Sequence, residues 1–413
     1  MSENYDIIVI GAGCGGLSAA LCAAKEGKKV LIIERGSKAG GLTTSFDRGR
    51  FTFDTSLTHL CGYTSTPGVG ELRRLFDDFG ITEKIEWATI PEAYRLITKN
   101  REGKDIDIIM PFGTDNFINA MEHYVPGSKE SITKLFEIAE EIEQAVNDIE
   151  AINGDFTRKE IKEFIKKHTN FVNTAPYSAN EVFTSIGIPQ KAVDILNAMW
   201  LHFGVDCDRF SFTHYLSYLY TYIKYGGKIP NKRSSAIIDT LLKEFLSFGG
   251  TIIYNDAVQR INFENNHACG VITQSGEKYD CRHIICNISP TVAYAKLIKS
   301  EDLPESAVKR TNARSFGARS ACVYLGLNRS PEELGIKDYS IFITDNADSV
   351  EQYELMKKIE TNNNIVATCL NISNPECSPK GTTILCLSTI YTDNCWANVA
   401  PENYYNEKDL LAG

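Results

Sequence analysis

The sequence predicts an α/β chain: a Rossmann-type βαβ unit at its start, a helical insertion in its middle and a strand-rich remainder. Three observations carry this. An apolar stretch, Ile7-Ile8-Val9-Ile10, runs into Gly11-Ala12-Gly13-Cys14-Gly15-Gly16. A small-residue helix pattern from Leu17 to Ala24 leads to a second apolar run, Val30 to Ile33. Glu34 closes that run near the ~20-residue spacing at which a carboxylate meets a ribose.

Each part suits a dinucleotide. Gly11 allows the tight strand-to-helix turn, Gly13 lets a pyrophosphate approach the backbone, and Gly16 lets the helix pack close to the strand. The helix N-terminus offers N–H groups and partial positive charge to phosphates. Glu34 can accept from both ribose hydroxyls and would repel a 2′-phosphate.

Further along, Glu71 to Gly80 has apolar residues at helical spacing and a closing glycine. Tyr94 to Thr98 and Ile106 to Met110 read as a hairpin around Glu102-Gly103. Thr114 opens a helix that ends near Tyr124. Residues 129 to 149 form an amphipathic helix with a stripe from Ile132 through Leu135, Phe136, Ala139, Ile142 and Val146 to Ile149. Its opposite face is acidic, which disfavours an anionic-membrane anchor. More helices are expected after Thr157 and around 178 to 186, 190 to 203 and 211 to 224. The aromatic residues of 210 to 225 suit either a substrate tunnel or ordinary helix packing. Helix and strand alternate from 234 to 289, with Ser234 the expected helix cap. Strands are expected at Ser320 to Leu325, Ser340 to Thr344, Ile365 to Ile372 and Thr383 to Thr389, as an antiparallel sheet flooring a cavity.

Composition narrows the function classes. The chain has 413 residues, 43% hydrophobic and 23% charged, with a net charge of −10. Nucleic acid is therefore excluded as a main partner, for which a basic stripe would be expected. Peripheral membrane contact through a local patch stays open. No apolar run approaches the ~20 residues of a membrane span. The start, Met1-Ser2-Glu3-Asn4-Tyr5-Asp6, lacks the pattern of a secretory signal, so cytoplasmic residence is expected. Twelve cysteines without Cys-x-x-Cys pairs read as free thiols, with Cys14 filling the tight turn. The seven histidines show no metal-ligand spacing.

Glu34-Arg35, Gly40-Gly41-Leu42-Thr43-Thr44-Ser45-Phe46 and Phe53-Asp54 together resemble the flavin-dependent amine oxidase and phytoene desaturase superfamily. The run GGLTTSFDRGRFTFDTSLTHLCGY is most similar to its carotenoid desaturase, carotenoid isomerase and retinol saturase branch. Residues 237 to 289 and 371 to 389 resemble later segments of the same family. The resemblance implies a glutathione-reductase-like FAD domain over 1–70 and 226–290, and a substrate and cap domain over 71–225 and 291–413. It implies FAD contacts from Gly11, Gly13, Cys14, Gly15, Gly16, Glu34, Arg35, Gly40, Gly41, Leu42 and Thr43, with the backbone of Val258 at the adenine.

Two departures stand out. Where this branch shows Pro-x-Gly-Gly-Ser, this chain reads Pro230-Asn231-Lys232-Arg233-Ser234. The family's closing Gly-Asp segment has no counterpart in 390 to 413, so a C-terminally incomplete chain is expected. The implied function is FAD-dependent desaturation, saturation or isomerisation of a carbon–carbon bond in a long apolar substrate: a carotenoid, a retinoid or another isoprenoid. The alternatives are an amine-oxidase-like flavoenzyme and a non-catalytic flavin-binding subunit. His59 is a candidate acid/base or hydrogen-bond partner of the flavin ring or a structural histidine, and Lys232 and Arg233 are either stabilisers of negative charge on a reduced flavin or solvated charges before a helix.

Overall fold

The first strand, Glu3–Ile10, lies inside a six-stranded sheet because its residues are apolar on both faces, the pattern of a strand covered on both sides. It pairs in parallel with Val30–Ile33 on one flank and Lys278–Cys286 on the other. Thr251–Ile253 extends the parallel set beyond Val30–Ile33. The antiparallel strands Val258–Glu264 and His267–Thr273 continue the sheet beyond Lys278–Cys286. A computed structural model supplies this description, which covers residues 3–152, 156–314, 317–392, 395 and 399–406.

The chain divides into two units. The first comprises Met1–Leu60, Ser65–Ala88 and Ile229–Ser315; the second comprises Cys61–Thr64, Thr89–Lys228 and Phe316–Gly413. The helix Glu71–Phe79 and the segment from 291 to 315 therefore fall with the first unit, whereas the sequence reading placed them in its 71–225 and 291–413 domain. The reason at Glu71–Phe79 is its packed edge. Phe76 and Phe79 are buried, and Phe76 stacks on Trp87 of the same unit.

In the first unit the helix Cys14–Lys25 buries Leu17, Ala20, Leu21 and Ala24 and packs beside the helix Ser235–Ser247. Each buried leucine contributes about 2 kcal/mol. A short hairpin, Ser45–Arg48 with Phe51–Asp54, was not anticipated from the sequence. Its alternation is too brief to stand out from the surrounding polar residues.

The second unit has its own six-stranded sheet, in the order Arg319–Leu327, Thr383–Tyr391, Ile365–Cys369, Ser340–Ile343, Tyr94–Lys99, Asp105–Met110. Its expected antiparallel character needs one correction: Ser340–Ile343 pairs in parallel with Tyr94–Lys99. Those strands lie far apart in sequence, so no turn dictates their direction. The strand from Ile365 stops at Cys369, where the short helix Leu370–Ser373 begins.

Helices cover this sheet. Thr114–Tyr124, Lys129–Ile152 and Phe212–Tyr225 share one core with Tyr94, Leu96, Ile108 and Phe342. The stripe of Lys129–Ile152 is buried from Ile132 to Ala145, but Ile149 is exposed. Thr157 caps Arg158–Lys167 through a reciprocal bond with Glu160. No helix among the described residues is long and apolar enough to cross a membrane.

Candidate functional site

The glycine turn folds as a clasp. Gly11 adopts φ +94°, a conformation that strains residues with a side chain. At Gly16 the constraint is space: a Cβ there would lie 2.1 Å from the Gly11 carbonyl oxygen. Gly13 precedes the helix Cys14–Lys25 and has no side chain to cap it. Asn287 does so instead, its Oδ1 accepting the Gly16 N–H at 2.9 Å. The Asn287 N–H in turn donates to the Ile10 carbonyl at 2.9 Å. Sequence reasoning passed over Asn287, although an amide directly after the apolar run Ile284-Ile285-Cys286 was the available signal.

Glu34 folds back on the same turn. Its Oε2 accepts the Ala12 N–H at 2.8 Å and its Oε1 accepts the Gly36 N–H at 2.7 Å. A carboxylate has about four acceptor positions, so capacity remains for ribose hydroxyls. Arg35 is exposed on the outer side of this bend. Gly40 reaches the turn from below: its N–H donates to the Ala12 carbonyl at 2.8 Å, forming a bridge with Gly13. Gly41 follows so closely that a Cβ on it would sit 3.3 Å from the Gly13 Cα. Gly11, Gly13, Gly15, Gly16, Glu34, Gly40 and Gly41 thus converge on one turn.

Cys14 is not packed inside the turn as expected. It is the first residue of the helix and is exposed. Local desolvation holds its pKa above the usual range, with the Thr43 side chain acting against that rise. Leu42 is the most exposed large apolar residue among the described residues, at 73%. Val258 begins its strand with the side chain in the core. The backbone just before it is tied to the Glu34 bend, Asn255 N–H donating to the Gly36 carbonyl at 2.9 Å.

A second polar centre holds the loop after Gly41. Asp54 Oδ1 accepts the Ser234 N–H at 2.7 Å, the Ser234 hydroxyl at 2.6 Å and the Ser45 hydroxyl at 3.0 Å. Ser234 does stand at the N-cap of Ser235–Ser247, but its hydroxyl makes no cap bond. The short reach to Asp54 draws that hydroxyl away, which corrects the expected role. Removing the carboxylate by Asp54→Ala should destabilise the unit by about 2–3 kcal/mol, since three donors lose one charged acceptor. Chemical denaturation reads this directly; an unchanged midpoint would show that the loops are held by other contacts.

The Lys232-Arg233 departure separates into two different residues. Lys232 is exposed, whereas Arg233 is 8% exposed and holds φ +74°. Arg233 therefore keeps the left-handed backbone that the glycine pair would supply, at a cost of roughly 1–2 kcal/mol. His59 is half-buried, with its Nδ1 3.2 Å from the Thr58 hydroxyl.

In the second unit the aromatic stretch divides in two. Phe212, Tyr215, Tyr220 and Tyr222 are core, as helix packing requires. Tyr218 is half-buried and stacks on Tyr222 at 5.9 Å and 9°. His202 lies edge-on to Phe342 at 5.2 Å and 6.4 Å from Tyr218. His202 itself is exposed, with these aromatic rings packed beside it. Desolvation pushes its pKa down to about 4, so the imidazole is neutral at ordinary pH. Among the described residues no cluster of His, Cys, Asp and Glu could hold a metal ion.

Flavin containing amine oxidoreductases match this chain over residues 14–402. The chain belongs to this family. Within it, the all-trans-retinol 13,14-reductase of Rattus norvegicus is 25% identical over 372 residues, covering 86% of this chain and 60% of that protein. Prolycopene isomerase 1 of an Oncidium hybrid cultivar is 22% identical over 429 residues, covering 100% of this chain and 68% of that protein. An oxidoreductase of known structure from Methanosarcina mazei superposes with a TM-score of 0.66 at 16% identity, over 98% of this chain and 82% of that one. That likeness concerns the fold.

Proposed function

We propose that the chain binds FAD in its first unit and, with it, saturates, desaturates or isomerises a carbon–carbon bond of a long conjugated isoprenoid. The observation that carries this reading is the clasp of Gly40 onto Ala12 and Gly13. It sets a second glycine loop directly beside the pyrophosphate turn, where a ligand longer than the adenylate half would run. The groove fits such a group: side chains at Gly16 or Gly41 would crowd the turn, and the helix N-terminus suits phosphate.

In this reading Gly11, Gly13, Gly15 and Gly16 hold the pyrophosphate, Glu34 and Arg35 the ribose, and the Val258 backbone the adenine. Cys14, Gly40, Gly41, Leu42 and Thr43 flank the rest of the cofactor. Bound FAD supplies two-electron exchange with a carbon–carbon bond. The chain's own residues then position the substrate and exclude water. Within the second unit, Phe203, Tyr218 and neutral His202 are aromatic groups with open surface that would suit an apolar substrate. The retinol and prolycopene named in the relatives are apolar polyenes that such surface would suit.

The test uses purified protein saturated with FAD and reduced chemically without oxygen. Added all-trans-retinol or an acyclic carotene should reoxidise the flavin, seen as return of its visible absorption. If putrescine instead reduces the oxidised protein, amine oxidation is the correct reading. Protein that takes up no FAD would sink both.

A further inference from the structure

We propose that the helix Arg158–Lys167 of the second unit is a docking element for an anionic lipid surface. Its ten residues carry five cations, Arg158, Lys159, Lys162, Lys166 and Lys167, against two carboxylates, in a chain whose net charge is −10. None of the ten is buried, although Ile161 and Ile165 are large and apolar. These two are 44% and 46% exposed. Ile149, in the last turn of Lys129–Ile152, is exposed as well.

The helix is anchored so that one face stays outward. The reciprocal cap of Thr157 and Glu160 fixes its start. At its end, Lys167 Nζ and His168 Nε2 reach Asp148 Oδ2 at 2.6 and 2.7 Å, which ties it to Lys129–Ile152. Phe164 takes the inward side, its ring 5.8 Å from Phe156, 4.7 Å from His168 and 5.9 Å from Phe171. Ile161 and Ile165, four residues apart, share one side of the helix. Arg158, Lys162 and Lys166 form a second row with the same spacing. Arg158 and Lys162 each stand three residues before an isoleucine, so the apolar and basic rows lie side by side.

The basic row is available to a partner. Glu160 is engaged in the cap, and Glu163 lies 3.8 Å from Lys159. Arg158, Lys162 and Lys166 make no ion pair among the described residues. Asp148 belongs to the helix whose acidic face argues against an anchor, and here it is paired with Lys167. A lipid surface fits both rows: the isoleucines enter the headgroup boundary while the lysine stems let their ammonium groups rise to the phosphates. A second copy of the chain fits poorly. Two isoleucines less than half exposed give far less than the ~800 Å² per partner that a stable interface buries. A bilayer instead draws most of its hold from the cations.

The full chain is sedimented with vesicles of about 3:1 phosphatidylcholine to phosphatidylserine, and with vesicles of phosphatidylcholine alone. It should pellet with the first at low salt, stay in solution with the second, and be released by about 1 M sodium chloride. Arg158→Gln, Lys162→Gln and Lys166→Gln combined should weaken binding about 100-fold, since each cation at the surface is worth about fivefold. Ile161→Gln with Ile165→Gln should weaken it roughly tenfold. Circular dichroism checks that both variants are folded. No pelleting with phosphatidylserine, equal pelleting with phosphatidylcholine alone, or undiminished binding by the triple variant would each overturn the proposal. So would light scattering that finds a dimer which the isoleucine variant abolishes. Neither FAD nor substrate is added, so failure here leaves the flavin reading untouched.

Discussion

Gly16→Ala is expected to abolish cooperative folding of the first unit or leave it severely destabilised. The added methyl would sit 2.1 Å from the Gly11 carbonyl oxygen, which is backbone and cannot swing aside. It would also press within 3.2 Å of the Asn287 Cβ, loosening the cap on the helix Cys14–Lys25. Overpacking typically costs about 1–3 kcal/mol, and a lost buried cap bond adds about 1 kcal/mol. The sum, about 2–4 kcal/mol, is a large share of an ordinary domain's stability. Gly27→Ala is the control. A Cβ there meets nothing within 4 Å, and only its φ of +75° opposes the change. Denaturation of both variants against wild type gives the comparison. Equal midpoints would show that the turn yields, and the close-packed account of the clasp would fail.

Glu34→Ala should weaken FAD retention by more than tenfold while leaving the second unit's fold intact. Two effects add. The Ala12 and Gly36 N–H groups lose charged acceptors, each worth about 1.5–3 kcal/mol, so the bend that shapes the groove relaxes. The ribose loses its carboxylate partner as well. Glu34→Gln should fall between the two, because an amide oxygen can serve only one of these N–H groups. Quenching of flavin fluorescence on titration reads the affinity. Retention equal to wild type would remove Glu34 from the cofactor site and leave it as a purely architectural bend.

The legible features were those set within a few residues of one another. The strand-turn-helix of 7 to 24 reads directly, since the apolar run, the glycines and the small-residue helix each act locally. Helix ends were similarly plain where the cap lay in the sequence, as with Thr157 and Glu160. What escaped was held from a distance. Asn287 acts on Gly16 from the end of the neighbouring strand, 271 residues away, and Asp54 draws on Ser234, 180 residues away. No spacing rule announces such partners. The parallel pairing of Ser340–Ile343 with Tyr94–Lys99 was hidden for the same reason. Arg233 shows another limit: its side chain argued for a changed loop, but its backbone retained the left-handed geometry.

The bond from Asn287 to Gly16 spans 271 residues of sequence, and this bears on how the protein is made. The glycine turn leaves the ribosome first, but its helix cannot receive that cap until the chain beyond Asn287 has emerged. The neighbouring strand Lys278–Cys286 arrives equally late. At ordinary synthesis rates the interval is roughly 15–50 s. During it the apolar strand Glu3–Ile10 lacks one of its two flanking strands. The glycine turn is therefore written long before it can close, and an apolar strand with an open edge is exposed to wrong pairing in the interval.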